Sequence, residues 1–277
     1  MTVLTFSLIL LAGAYLAGLA GSLTGLGGGV IIIPLLTLVF HTDIRYAIGA
    51  ALLASIATSS GAASAYVKAG ITNIRLGMVL EIATTIGAVT GAVIAVYTPT
   101  NTIAILFGFL LLFSAAMTLR KKNQLALTEG SKLSYALKLN STYPTSEGKV
   151  GYKLKNIGAG FSIMALAGVL SGLLGIGSGA LKVLAMDTVM RIPFKVSTTT
   201  SNFMIGVTAA ASAVVYLQRG YMDAGIAFPV IIGVLAGAFT GSKLLTKIDP
   251  EILRKIFSVA ISVIAIEMIY NGYHHQF

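Results

Sequence analysis

Long apolar runs separated by short polar breaks fill this chain: residues 3–40 (interrupted), 44–67, 76–96 and 102–119, then, after a polar stretch at 120–155, residues 157–190 (interrupted), 196–217, 226–245 and 253–270. Crossing a bilayer takes about 20 helical residues, and six of the eight runs are close to that length. The first and fifth are too long for one crossing and are broken by glycine. Gly25-Leu26-Gly27-Gly28-Gly29 separates an apolar run beginning at Val3 from a shorter one over residues 30–40 that contains Pro34. Consecutive glycines are costly within a helix, so the helix is expected to stop there. A break at membrane depth leaves backbone polar groups that lipid cannot satisfy, so it belongs where it is buried in protein or lines a cavity. The restarting helix would aim free N–H groups and its positive dipole end at that place, which suits an anion.

The pattern repeats. Moving 150 residues along, Gly25-Leu26-Gly27-Gly28-Gly29 falls on Gly175-Ile176-Gly177-Ser178-Gly179, and without a gap Gly18 pairs with Gly168, Thr58 with Thr208, Tyr66 with Tyr216, Gly87 with Gly237, Gly91 with Gly241 and Phe107 with Phe257. One register held over such a stretch predicts two structural repeats with a broken element in each, the arrangement that marks a transporter site in inverted-repeat folds. The expected fold class is therefore an all-α polytopic membrane protein. Each of its two inverted-topology repeats has a glycine-broken helix element, re-entrant or discontinuous, followed by three spanning helices. The divisions are a first repeat at 1–119, a basic cytoplasmic loop at 120–155 and a second repeat at 156–277.

Composition agrees: 56% of the 277 residues are hydrophobic and 10% charged, with mean hydropathy +0.90, values of an integral membrane protein. The net charge of +10 does not point to nucleic acid, because residues 120–155 hold eight basic side chains against Glu129 and Glu147. That concentration is a topology signal. With this loop in the cytoplasm, inverted repeats put Lys68, Arg75, Arg191, Lys195, Lys243, Lys247, Arg254 and Lys255 inside and only Arg45 and Arg219 outside. Parallel repeats would put seven of these ten outside. The positive-inside rule favours inversion, with both termini outside. Without cysteine, and with two of its three histidines at His274 and His275, the chain offers no metal centre, disulfide or conventional catalytic triad. No cofactor is expected, and nothing resembles a nucleotide-binding loop.

The run from Gly21 to Gly29 followed by Pro34, its second copy and the basic loop between the halves resemble the sulfite exporter TauE/SafE family over nearly the whole chain. That resemblance implies a plasma-membrane transporter, usually an exporter, of sulfur-containing anions such as sulfite or organosulfonates. The second copy departs from the pattern at Ser178, Lys182 and Leu184, the last standing where the first has proline.

Lys182 is the most informative single residue. It lies in the first turn of the second restarting helix, where a cation opposes the dipole unless an anion neutralises it; a lysine snorkelling to an interface or paired with Asp187 is the alternative. Thr198-Thr199-Thr200-Ser201-Asn202 puts five polar residues at the start of a span, where the first repeat has Ile48-Gly49-Ala50-Ala51-Leu52. Thr199, Ser201 and Asn202 suit an oxyanion, and interhelical hydrogen bonding is the other use for them. The expected substrate-binding set is Gly27, Gly28, Gly29, Gly177, Ser178, Gly179, Lys182, Thr199, Ser201, Asn202 and Ser59. Glu81, a carboxylate within a span, and Asp187 are candidates for coupling to protons. Expected partners are a small anionic substrate and the lipid bilayer, with a homodimer as the assembly to test.

The reading is a secondary transporter working by alternating access. An anion channel for the same substrates, or a proton-coupled transporter of another small carboxylate or inorganic anion, uses the same features. An intramembrane enzyme lacks a nucleophile, base or metal cluster in the spans.

Overall fold

A computed structural model describes residues 3–24, 27–119, 130–145, 148–244 and 250–274. Gly25, Leu26, residues 120–129, Glu147, Lys247 and His275, all used above, lie outside the described residues, as do Met1 and Phe277. Among the described residues the chain is helical apart from one two-stranded hairpin, and seven helices are long and apolar enough to cross a membrane.

The first half runs α1 (Val3–Thr24), α2 (Gly29–Pro34) widening into a π-helical turn (Leu35–Val39), α3 (Ile44–Lys68), α4 (Ile74–Tyr97) and α5 (Thr100–Leu119). A central segment forms α6 (Lys132–Ala136) and the hairpin β1 (Ser141–Thr145) and β2 (Gly148–Tyr152). Then follow α7 (Ile157–Leu174), α8 (Gly179–Leu184) with its own π-helical turn (Ala185–Val189), α9 (Phe194–Gln218), α10 (Ala224–Leu244) and α11 (Pro250–Tyr273). Starts and stops recur 150 residues apart: 29 and 179, 34 and 184, 39 and 189, 44 and 194, 68 and 218, 74 and 224, 100 and 250. Both π-helical turns close with a wide backbone bond, Thr42 N–H to Leu36 O at 3.0 Å and Ile192 N–H to Met186 O at 2.9 Å. The first follows Pro34 and the second Leu184, so a missing proline N–H does not cause the turn.

Each glycine break is the tip of a hairpin. The Phe6 and Phe40 rings meet at 4.8 Å between centroids, Gly13 lies against Leu35, and Gly21 lies against Gly27 and Gly28. The short arm therefore turns back toward the end from which α1 started. In the second half Lys155 N–H donates to Met190 O at 3.1 Å and Asn156 Nδ2 to Val189 O at 3.3 Å, so that short arm also returns to its starting end. Counterparts α3 and α9 cross antiparallel, Ser59 against Asn202 and Gly206 near their middles, Gly49 against Tyr221 near one end. The two hairpins thus enter from opposite ends of the molecule. Their tips meet halfway, with Gly29 beside the Gly175 carbonyl and Gly27 beside that of Ile176.

Glycine sets the closest helix approaches. Gly87 and Gly91 of α4 face the backbone of α7 at Ala165 and Val169, and Gly168 and Gly172 of α7 face Thr84 and Ala88. The counterpart crossing of α1 with α10 uses Gly18, Gly233, Gly237 and Gly241 in the same way. Small residues let backbones approach where packing, rather than water expulsion, drives association. Large apolar side chains such as Ile82, Ile86, Phe228, Phe239 and Val263 point outward, as a surface facing hydrocarbon requires.

The central segment carries structure that its charge pattern hides. Leu139, Tyr143, Tyr152 and Leu154 are buried with Leu76, Leu80, Ile157, Met164, Met190, Ile192 and Val196. The segment therefore caps the end at which α4, α7 and α9 begin. Asn73 holds it down: its Nδ2 donates to Leu139 O at 2.9 Å and to the Tyr152 hydroxyl at 2.8 Å. Its Oδ1 caps α4 by accepting from Leu76 N–H at 3.1 Å, and its own N–H donates to Thr200 Oγ1 at 3.1 Å. Burial pushes the Tyr152 phenol up to about 12 against the lowering effect of its hydrogen bonds to Asn73 and Ser141.

Candidate functional site

Where the two tips meet, the halves differ. In the first, Gly27 takes a positive φ of 84° and Gly28 N–H donates to Thr58 Oγ1 at 3.3 Å, while Gly29 opens α2. Thr58 in turn donates to Ala54 O at 2.8 Å. In the second, Gly175 and Gly177 have φ of 70° and 65°, and Ser178 is itself left-handed at 43°, a conformation that strains a residue bearing a Cβ. Gly179 opens α8, and its carbonyl accepts from Ser201 Oγ at 3.2 Å, tying the tip to α9. Thr208, the counterpart of Thr58, does something different here. Its Oγ1 accepts from Lys182 Nζ at 2.5 Å, and its hydroxyl lies 2.5 Å from Glu81 Oε1 and 3.0 Å from Met204 O.

Lys182, Thr208 and Glu81 thus form a chain of cation, hydroxyl and carboxylate drawn from α8, α9 and α4. A hydroxyl has one proton to give, and with lysine occupying its oxygen from one side that proton serves the carboxylate. Lys182 is 0% exposed and Glu81 7%. Thr85 also reaches Glu81 Oε1, at 3.4 Å, while Oε2 is buried without a hydrogen-bond partner. The counterpart place in the first half holds Ile32, Thr58 and Ile231, so the charge belongs to one side of an otherwise repeated architecture.

The remaining predicted residues divide. Ser59 bridges the halves by donating to Asn202 O at 2.5 Å and accepting from Gly206 N–H at 3.0 Å. Asn202 Nδ2 and Ser178 Oγ are buried without partners. Thr199 turns back on its own helix, bonding the carbonyls of Lys195 and Val196 at 3.0 and 3.1 Å, and takes no part at the tips. Asp187 lies half-buried in the second π-helical turn. The expected substrate-binding set leaves out Thr208 and Ser55. Ser55 Oγ is buried without a partner beside Gly27 and Gly29. A hydroxyl at the same mid-span position in both halves, Thr58 and Thr208, was the available signal.

Beside Ser178 lies a cleft of about 10 Å³, lined also by Val30, Leu110, Ser114, Ile176 and Gly179. That is room for about one water. A sulfite-sized ion would have to part the tips. Among the described residues no cluster of three or more metal-ligating side chains occurs.

These features can be set against known proteins. The family model described as "Sulfite exporter TauE/SafE" matches residues 10–268. The chain is 28% identical over 275 residues to the "Probable membrane transporter protein YunE" of Bacillus subtilis (strain 168), covering 95% of this chain and 97% of that one. It is 25% identical over 241 residues to YdhB of the same organism, with 87% and 91% covered. A "Probable membrane transporter protein" of Xylella fastidiosa (strain 9a5c) is 25% identical over 261 residues, covering 93% of each. No solved structure matches the chain. The protein is a multi-pass membrane transporter rather than an enzyme, and it belongs to the sulfite exporter TauE/SafE family.

Proposed function

We propose that this transporter moves a small sulfur-containing anion, sulfite or an organosulfonate, across the cell membrane, and that it does so as an exporter working by alternating access. The observation that carries the reading is a buried lysine one turn into a broken helix, at the depth where the two hairpin tips meet. Burying a cation is expensive unless something charged or polar compensates it. The anion would lie between Gly27-Gly28-Gly29 and Gly177-Ser178-Gly179. Lys182 supplies charge, and the idle polar atoms of Ser178, Ser55 and Asn202 supply hydrogen bonds. Ser201 and Ser59 hold the tips and the α3–α9 crossing in register.

Orientation follows from charge. The end capped by α6 and the hairpin carries Lys68, Arg75, Arg191, Lys195 and the lysines of the cap, against Arg45 and Arg219 at the other. The capped end therefore faces the cytoplasm and both termini face outside. The halves are then inverted repeats joined by the segment at 120–155, and rocking one against the other exposes the tips to each side in turn. The exposed apolar faces leave room for a homodimer.

Thermal unfolding of purified protein with sulfite, thiosulfate, sulfate, taurine, isethionate, acetate, nitrate and chloride tests the reading. A ligand at a hundredfold excess over its dissociation constant adds about 2.7 kcal/mol. A sulfur oxyanion should raise the melting temperature of wild type and not of Lys182→Met. Silence across the panel, or a shift that survives loss of the lysine, overturns the site.

A further inference from the structure

In this structure Lys182 already has a counter-charge. Its ammonium is joined through the Thr208 hydroxyl to the Glu81 carboxylate, and all three are buried. An arriving anion finds a site whose net charge is zero. If the anion simply joined, the buried set would hold one cation and two anions, and an uncompensated charge in a low-dielectric interior is the costliest arrangement available. The set returns to zero if Glu81 takes a proton as the anion arrives. The geometry permits this, because Glu81 Oε2 is buried without a partner and is an open position for that proton.

We propose that Lys182, Thr208 and Glu81 form a charge-exchange site in which one anion binds together with one proton. This rests on the reading that Lys182 holds the anion. In the empty state the lysine is neutralised by Glu81 through Thr208. In the loaded state it is neutralised by the anion, and Glu81 is a neutral carboxylic acid. The proton comes from water and forms an O–H bond at Glu81; no other bond is made or broken. A monovalent anion then crosses as a neutral pair with its proton.

The other charged groups on the elements packed against the set are few. α4 otherwise carries only Arg75, exposed at its start and donating to Lys138 O. α9 carries Lys195, exposed at its start, and α7 carries no charged residue. The π-helical turn after α8 carries Asp187, half-buried, and α3 carries Arg45 and Lys68 at its two ends. Tyr143 and Tyr152 face α4 from the cap.

The test is calorimetric binding of isethionate and nitrate, neither of which titrates near neutral pH, in buffers of differing ionisation enthalpy. Wild type should take up one proton per anion, and its affinity should weaken about tenfold per unit rise in pH while Glu81 is ionised in the free protein. Glu81→Gln should bind without proton uptake and with no such slope. Thr208→Val breaks the bridge and should weaken the slope, whereas Thr208→Ser should keep it. Wild-type binding with no proton exchanged overturns the coupling while leaving the anion site intact. Failure of wild type to bind either anion, with the thermal panel also silent, removes both. Because the wild-type proton count decides the matter alone, a Glu81→Gln protein that does not fold leaves the test whole.

Discussion

At the scale of single residues, one hydroxyl decides what the buried charges do. Thr208→Val keeps shape but removes the acceptor for Lys182 and the donor to Glu81, and leaving buried polar groups unpaired costs about 1–3 kcal/mol. A fall of that size in unfolding free energy is expected, and Thr208→Ser should recover most of it; denaturant or thermal unfolding in detergent reads both. The equivalent Thr58→Val removes the acceptor for one backbone amide and a donor to a carbonyl of its own helix, touches no charged group, and should cost less. Lys182 was legible because a lone lysine in an apolar run is conspicuous. Glu81 was legible for the same reason, but their partnership was not, since residues 81 and 182 meet only through the packing of three helices. Thr199 shows the converse. A run of five polar residues groups it with Ser201 and Asn202, yet a helix points neighbours in different directions: Thr199 bonds carbonyls of its own helix, Ser201 the Gly179 carbonyl, and Asn202 Nδ2 is buried without a partner.

At the scale of elements, the backbone approaches at the α4–α7 crossing leave no space for a side chain at Gly91 or Gly172. Gly91→Ala must push the helices apart, and overpacking of this kind costs about 1–3 kcal/mol. Gly241→Ala at the α1–α10 crossing should behave alike, and lower melting temperatures check both. The cap makes a different prediction. Asn73→Ala removes one of the Tyr152 hydroxyl's partners and the donor to the Leu139 carbonyl, and hydrogen exchange over 132–145 and 148–152 should quicken while exchange within α5 and α11 stays slow. The neutral Tyr152 phenol is the form that docks. Its contribution is whole below the ordinary tyrosine pKa of about 10 and fades as pH climbs toward about 12, so cap exchange should rise in that alkaline window. The glycine breaks and the length of the short arms could be read from the sequence. The folding of the central segment could not, because its few apolar anchors, Leu139, Tyr143, Tyr152 and Leu154, are scattered among lysines and acquire meaning only against the helix ends they cover.

At the scale of the molecule, the absence of cysteine gives a clean background for labelling. Single cysteines at His41 or Gly220 should react with a membrane-impermeant maleimide added to intact cells, and cysteines at Gly70 or Arg191 only after permeabilisation. The reverse pattern would turn the protein over in its membrane. The overall plan was visible as a 150-residue echo, whereas the direction in which the short arms return needed the Phe6–Phe40 contact and the Asn156–Val189 bond. The two halves are also unequally charged. Ile32, Thr58 and Ile231 occupy the seat that Lys182, Thr208 and Glu81 occupy opposite, with the threonine common to both. The same repeated unit holds uncharged residues on one side and the charged set on the other, so on the proposed reading the chemistry should be portable. Grafting lysine and glutamate onto the silent seat through Ile32→Lys with Ile231→Glu, while Lys182→Ile and Glu81→Ile erase the original, would make a transporter whose charged seat has moved to the other half.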